Sequence, residues 1–319
     1  GVDAICRGEG DTCFPEFLKY FGEDAMYTIS NFYFKRNSGE IISNSLTSLV
    51  SNLDDLPFPD RDIIYAGSYF MANSPVKTFF AGRGCPFNCT YCFNHAFSEM
   101  YKGKGKILRS KSVSYLFDEI RFVAKKYPLG FLKFHDDIFG SDKKWLAEFT
   151  ERYPKEIGLP FFCYARPNMV SDEYAGLLKA AGCYSVCIAI ECGNEQIRNR
   201  ILNRNLSNSQ IESACAALKK NGLRIYTLNM VGLPSETEKE IFETINLNQR
   251  LNIDFCDATI FQPYPGTQIN KYCKENGYLN EDVKNFANLY TASLLNFDPD
   301  LKKKLFILQR LFPILVMYP

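Results

Sequence analysis

Three cysteines stand in the run Gly82-Arg83-Gly84-Cys85-Pro86-Phe87-Asn88-Cys89-Thr90-Tyr91-Cys92-Phe93. Their spacing is C-x3-C-x2-C, with an aromatic residue directly before the last. Three thiolates can hold three corners of a cubic iron–sulfur cluster and leave the fourth iron free for a substrate or cofactor. An electron-transfer cluster closes all four corners with cysteine. An open position marks a catalytic rather than a structural metal site. Other uses of the triad fit less well. A zinc module pairs two C-x2-C knuckles, or one knuckle with two histidines. Here Cys89 and Cys92 make such a pair, but no second C-x2-C follows, and the histidines are two, His95 and His135. A ferredoxin needs a fourth cysteine a few residues on, and the next is Cys163. Twelve cysteines in 319 residues are too sparse for a disulfide scaffold.

Further groups with chemical potential fall at the ends of apolar runs. His135-Asp136-Asp137 places two adjacent carboxylates after one run. They could bind a cationic amine or simply cap a turn. Arg166 follows Cys163-Tyr164-Ala165 and could pair with a carboxylate of a ligand or with Glu191. Glu191 closes Ser185-Val186-Cys187-Ile188-Ala189-Ile190, where an unpaired charge is expensive to bury. It calls for Arg166 or for a polar ligand such as ribose hydroxyls. Asn229 precedes Met230-Val231-Gly232-Leu233-Pro234-Ser235, in which Gly232 permits close backbone approach and Ser235 is placed to cap the next helix. Pro263-Tyr264-Pro265-Gly266 makes a rigid loop. Cys183, Cys187 and Cys192 lie on and around one strand and read as buried free thiols, not as a second cluster. His95 reads as a packing or solvent-facing residue.

The elements that must position these groups become regular from residue 77. Strand-length apolar runs occur at 77–82, 130–135, 160–166, 185–191, 224–231 and 254–262. Helical periods lie between them at 113–126, 143–156, 172–181, 207–221 and 235–251. Six β/α units in series predict an α/β fold with a parallel sheet and helices outside it. Six are too few to close an eight-stranded barrel, so the expectation is a six-unit partial (β/α) barrel, open on one side. In barrels the chemistry gathers where strands end and loops begin, and the cysteine triad follows the first strand. Upstream, 2–6 reads as a strand, 7–11 as a turn and 12–20 as a helix, a β–turn–α unit with no preceding strand to pair with. Asn37-Ser38-Gly39 suits a hairpin turn, and the proline-bearing run 52–60 suits an extended linker. An amphipathic helix is expected over 305–317. The divisions are 1–30, 31–70 for hairpin and linker, 71–280 for the barrel and 281–319 for a C-terminal helical segment.

Composition narrows the setting. A hydrophobic fraction of 46% indicates a globular chain. A net charge of +1 makes no electrostatic case for nucleic acid or an anionic membrane. No apolar run is long enough to span a bilayer. The many thiols suggest a reducing, cytoplasmic compartment. The first residues read as mid-domain, so the chain is expected to be a piece of a longer protein.

Taken together, these residues resemble the radical S-adenosylmethionine superfamily, whose hallmark C-x3-C-x-aromatic-C is matched by Cys85, Cys89, Tyr91 and Cys92. Gly82-Arg83-Gly84-Cys85-Pro86-Phe87, the paired aspartates, Ile190-Glu191-Cys192-Gly193, the 231–237 segment and Pro263-Tyr264-Pro265-Gly266-Thr267 are similar to its cobalamin-binding branch. So is the linker Leu53-Asp54-Asp55-Leu56-Pro57-Phe58-Pro59, and Cys6-Arg7-Gly8-Glu9-Gly10-Asp11 looks like the tail of that branch's Rossmann-like cobalamin domain. Where the branch often has Gly-Ile-Glu-Ser-Gly, this chain has Ala189-Ile190-Glu191-Cys192-Gly193. The resemblance implies a [4Fe–4S] cluster on the three cysteines and S-adenosylmethionine on its free iron, with a one-electron reductant such as a flavodoxin or ferredoxin. It implies formation of a 5′-deoxyadenosyl radical, used for cobalamin-dependent methyl transfer or for cyclisation or rearrangement. It further implies that Asp136 or Asp137 faces the methionyl amine, Arg166 its carboxylate and Glu191 the ribose, with Tyr91, Asn229 and Pro263 beside the adenine. A non-enzymatic electron carrier or a zinc-binding module remains the alternative of another class.

Overall fold

The structure is a computed structural model and describes residues 2–279 and 288–318. The N-terminal part holds β1 (Ala4–Cys6), α1 (Cys13–Lys19), β2 (Phe32–Lys35) and β3 (Ile41–Ser43). Two short helices, α2 (Asp62–Tyr65) and α3 (Tyr69–Asn73), lead to β4 (Val76–Phe79). The ribbon strands β5 (Gly82–Arg83) and β6 (Arg109–Ser110) enclose the cysteine segment and α4 (Phe93–Met100). Then follow α5 (Val113–Lys126), β7 (Phe131–Phe134), α6 (Lys143–Glu156), β8 (Phe161–Ala165), α7 (Asp172–Ala180) and β9 (Cys183–Glu191). The remainder is α8 (Glu195–Arg200), α9 (Asn208–Lys220), β10 (Arg224–Val231), α10 (Glu238–Leu251), β11 (Phe255–Ile260), α11 (Gln268–Glu275) and α12 (Pro299–Met317).

The main sheet has six strands in the order β11-β10-β9-β8-β7-β4, all parallel. Sequential order with every strand beside its predecessor, and no pairing between β4 and β11, is the open six-unit arrangement expected. Side chains alternate across it. Phe79, Leu132, Phe134, Phe161, Cys163, Val186 and Ile188 belong to one buried core shared with the helices. Its centre is aromatic: Phe149 of α6 stacks on Tyr153 at 4.6 Å and meets Phe134, Phe139 and Phe161 edge-on. The helix starts follow from local chemistry, with Ser112, Asp142 and Ser171 each accepting a backbone N–H of the first turn.

Four readings change. β1 is not unpaired. It pairs antiparallel with β2, which pairs with β3, so one three-stranded sheet crosses the division drawn at residue 30. The run 52–60 is less extended than expected: Leu53–Asp55 forms a 3-10 turn, Asp54 accepts the Ser112 backbone N–H, and the Tyr115 hydroxyl donates to Leu56. The cap of α10 is Thr237, in a reciprocal box with Glu240, while Ser235 sits in the preceding turn at φ 62°. The C-terminal helix is longer than expected and tolerates Pro313. Residues 280–287 lie outside the described residues.

Gly193 shows how tightly the end of β9 meets α10. A Cβ there would stand 2.5 Å from both Glu243 O and Thr244 Cα, both backbone atoms. Gly193→Ala must therefore push α10 off the sheet and break the bond from Gly193 N to Thr244 Oγ1. The expected loss is about 1–3 kcal/mol or more, read as a lowered midpoint in thermal unfolding.

Candidate active site

The cysteine segment leaves β5 and crosses the C-terminal ends of the sheet strands. Its entry is fixed by Gly84, at φ 90°, where a Cβ would lie 2.3 Å from Ile107 O. Arg83 grips the N-terminal unit with bonds of 2.6 and 3.0 Å to Asp11, and Arg109 of the same ribbon pairs with Glu9 at 2.5 Å. Further along, the Thr90 N–H donates to Leu202 O, Asn203 Nδ2 to Asn88 O and Ile269 N–H to Thr90 O. His95 is held by Asn88 and by Gln268 of α11, a packing role. The loop is thus fastened on several sides by protein before any ligand is considered.

The three thiols are close together: Cys89 and Cys92 both raise the Cys85 thiol, and Cys89 raises Cys92. Burial is the larger cause, pushing Cys85 up to about 11 and Cys92 upward. Among the described residues no three His, Cys, Asp or Glu side chains converge on one metal-ion position. A single zinc ion needs its donors within about 2.0–2.3 Å of one point. In a four-iron cube each thiolate binds a different iron, so the donors stand further apart.

Asp136 and Asp137, just past the end of β7, part company, one turned down and one toward the cysteines. Asp136 is buried and accepts the backbone N–H groups of Ala81 (3.0 Å) and Gly82 (2.6 Å), with burial pushing it up to about 7. It fastens the loop entry from below. Asp137 bonds Asn94 Nδ2 at 2.7 Å and lies near enough to Cys85 and Cys92 to raise both thiols. Of the two, Asp137 is on the cysteine side.

Arg166 is 8% exposed. It donates to Arg204 O and to Asn168, and its guanidinium lies 3.6 Å from the ring centre of Phe87 in the cysteine loop. Among the described residues no carboxylate pairs with it, and its Nε has no partner. Burial and the neighbouring Arg204 both disfavour its charge. Glu191, 9% exposed and at φ 67°, sits where β9 bulges against β10. Its Oε1 accepts Tyr91 Oη at 2.9 Å and Arg204 at 3.4 Å, and Oε2 has no bond among the described residues. Burial raises its pKa against the pull of Arg204 and Tyr91. The Tyr91 hydroxyl joins the loop to this pair and also accepts from Arg204.

The partner of Glu191 is therefore Arg204, which sequence reading missed. A lone arginine in an interhelical segment carries no local signal, and only the fold brings it to Glu191. Asn229 also departs from expectation. Its amide is used up by Asn248 of α10, Thr227 and Asp257 O, so the side chain serves the seam between sheet and helix. Gly232 faces Leu305 of α12, not open space. Pro263 follows β11, and its carbonyl accepts Asn270 Nδ2. Cys183, Cys187 and Cys192 are buried free thiols.

The site holds two adjacent buried guanidinium groups, of which Arg204 is paired with Glu191, and the Asp137 carboxylate lies on the side of the three thiols. Arg166 is thus placed to take the carboxylate of a ligand.

Glu236 lies behind this region. It is buried and accepts Gly232 N–H (2.6 Å) and Leu233 N–H (3.0 Å), yet burial pushes it up to about 8. The unfolded chain ionises this group near the usual 4.5, and the folded chain keeps its proton to about 8. Between those values the folded state binds more protons, so stability falls as pH rises and levels off above about 8. Glu236→Gln keeps an acceptor for both N–H groups and should flatten this dependence. Wild type is expected to lose about 1–3 kcal/mol relative to the variant between pH 5 and 8, in urea unfolding at each pH.

A family model described as the radical SAM superfamily matches residues 80–247, more than half of the chain. An uncharacterized methyltransferase of Pyrococcus horikoshii is 29% identical over 280 residues, covering 87% of this chain and 59% of its own length. An anaerobic magnesium-protoporphyrin IX monomethyl ester cyclase of Rubrivivax gelatinosus is 24% identical over 273 residues, covering 83% and 48%. The chain spans about half the length of these curated relatives. Among solved structures, the radical S-adenosylmethionine methyltransferase TsrM of Kitasatospora setae, with cobalamin and a [4Fe–4S] cluster bound, superposes with a TM-score of 0.67. It is 17% identical, covering 86% of this chain and 54% of that one, a likeness of fold.

Proposed function

The chain belongs to the radical SAM superfamily, and on that premise we propose that the full-length protein is a radical methyltransferase acting on an unactivated carbon with the help of cobalamin. When bound, the [4Fe–4S] cluster and S-adenosylmethionine supply a 5′-deoxyadenosyl radical by one-electron reductive cleavage. Cys85, Cys89 and Cys92 hold the cluster. Asp137 takes the methionyl amine, and Arg166 takes the carboxylate that would neutralise its charge. Glu191 Oε2 takes a ribose hydroxyl while Oε1 stays with Tyr91 and Arg204. Tyr91 and the Pro263 loop flank the adenine. The observation that carries the reading is the pairing of a three-thiol loop with a buried arginine that has no counter-ion among the described residues.

Methyl transfer and cobalamin rest on the names of relatives, including a methyltransferase and a fold neighbour with cobalamin bound. Radical cyclisation without methyl transfer is the second reading, favoured by the ring-forming relative. The electron would come from a flavodoxin or ferredoxin. No helix among the described residues is long and apolar enough to cross a membrane, and twelve free thiols suit the cytoplasm.

The test is anaerobic reconstitution followed by strong reductant and S-adenosylmethionine. Accumulation of 5′-deoxyadenosine and methionine is expected. Their absence from a fully loaded cluster would favour an electron carrier. In the full-length protein, a corrin absorption band and label transfer from methyl-labelled S-adenosylmethionine separate methyl transfer from cyclisation.

A further inference from the structure

The concave side of the sheet has a chemical polarity that the site above leaves unused. Strand register sets Thr78, Lys133, Phe162, Ser185 and Arg224 in one row across five strands. Two residues further along the strands the row is Phe80, His135, Tyr164, Cys187 and Tyr226. The alternate residues on these strands are the ones buried against the helices, so both rows face the open side. Ring contacts confirm the shared face: His135 lies 6.4, 6.5 and 5.3 Å from Phe80, Phe162 and Tyr164, and Phe162 lies 6.4 Å from Tyr226.

At the free edge of β4 this face opens into a cavity of about 740 Å³, within the range of small-molecule sites. Phe80, Phe131 and Lys133 line one side, and Ile64, Tyr65 and Phe70 from α2 and α3 line the other. The cations in it differ in their state. Arg61 and Lys111 both pair with Glu119. Lys77 donates to Met71 O and Ala72 O and lies over Tyr65 and Tyr127. Among the described residues Lys133 has no ion pair and no side-chain hydrogen bond. It stands four residues before Asp137, about 13 Å along a strand. Two acids line the cavity, Glu119, held by Arg61 and Lys111, and Asp60, which accepts the Asp62 N–H, while Asp137 and Asp257 on the sheet face lie toward the opposite, cysteine-bearing end.

We propose that this cavity binds the substrate as an elongated aromatic or apolar molecule whose anionic end, a carboxylate or a phosphate, is held by Lys133. Its reacting carbon then lies roughly 10 Å away, beyond the His135 row and under the cysteine loop. The aromatic walls supply apolar contact area, and Lys133, the cavity cation with neither ion pair nor hydrogen bond among the described residues, sets the orientation. The statement that a reaction follows rests on the radical SAM reading. The binding statement stands on the cavity and Lys133.

The probes are biphenyl-4-carboxylate, biphenyl-4-yl phosphate and the neutral biphenyl-4-carboxamide, titrated by ligand-observed NMR into the reconstituted protein. At least one anion should bind about tenfold or more tighter than the amide. Whichever anion is preferred identifies the headgroup. Lys133→Met should abolish the preference, while Lys143→Glu on α6 should leave it in place. Lys133→Gln serves in the same role if the methionine variant does not fold, with thermal unfolding as the check. Equal binding of amide and anions, or a preference that survives loss of Lys133, overturns the proposal. Wild type that shows the preference but yields no 5′-deoxyadenosine sinks the catalytic reading and leaves the binding site standing.

Discussion

A chain carrying Cys85→Ala, Cys89→Ala and Cys92→Ala together is expected to emerge from anaerobic reconstitution without iron, where the unsubstituted chain holds about four irons. Cleavage of S-adenosylmethionine should fall to background in the same protein, because the iron that would receive the amino acid is gone. The fold should survive. The loop is tied to the 202–203 segment, to α11 and, through Arg83, to the N-terminal unit by bonds that involve no thiol. A thermal unfolding midpoint close to that of the unsubstituted apoprotein is therefore expected, which separates loss of ligands from loss of structure. Each single substitution leaves two thiols and should also lose most iron. Iron retained by the triple variant would point to other ligands. Tight zinc in place of iron after anaerobic purification would restore the zinc-module alternative.

How much of this was legible depends on what kind of interaction fixes each residue. The strands of the main sheet announce themselves because one face packs on helices and the other carries several aromatic residues among its polar ones, so the runs read as largely apolar. Helices α5 and α6 begin and end where the sequence places them because Ser112 and Asp142 cap them locally. The triad is local too, since its spacing is its meaning. The residues that were misread are those whose partners are distant in the chain. Strand β1 finds β2 across an intervening helix. Asp136 and Asp137 differ only by which face each meets, and Asn229 is turned outward, to Asn248. Ser235 had the chemistry of a cap, but Thr237 and Glu240 supply a reciprocal pair that it cannot. Arg204 is the extreme case: it reaches Glu191 and Tyr91 only through the closed fold.

Arg204→Met is expected to cost about 3–5 kcal/mol of stability, because it leaves a buried carboxylate without its cation. Glu191→Gln strands the guanidinium instead and should also destabilise. The double variant should be more stable than the sum of the two losses implies, since removing both charges leaves no buried ion to satisfy. Urea unfolding of the four proteins measures this coupling. The same set decides whether Glu191 touches ligand. Its Oε2 carries no bond to the described residues, so Arg204→Met keeps the oxygen proposed for the ribose while Glu191→Gln places an amide there in one orientation of the side chain. With cluster-loaded protein well below its unfolding midpoint, S-adenosylmethionine affinity should drop about tenfold for Glu191→Gln and for the double variant, and much less for Arg204→Met. If Arg204→Met weakens binding as much as Glu191→Gln does, affinity is following the integrity of the buried pair, and Glu191 is a structural residue that holds Tyr91 and the cysteine loop in place.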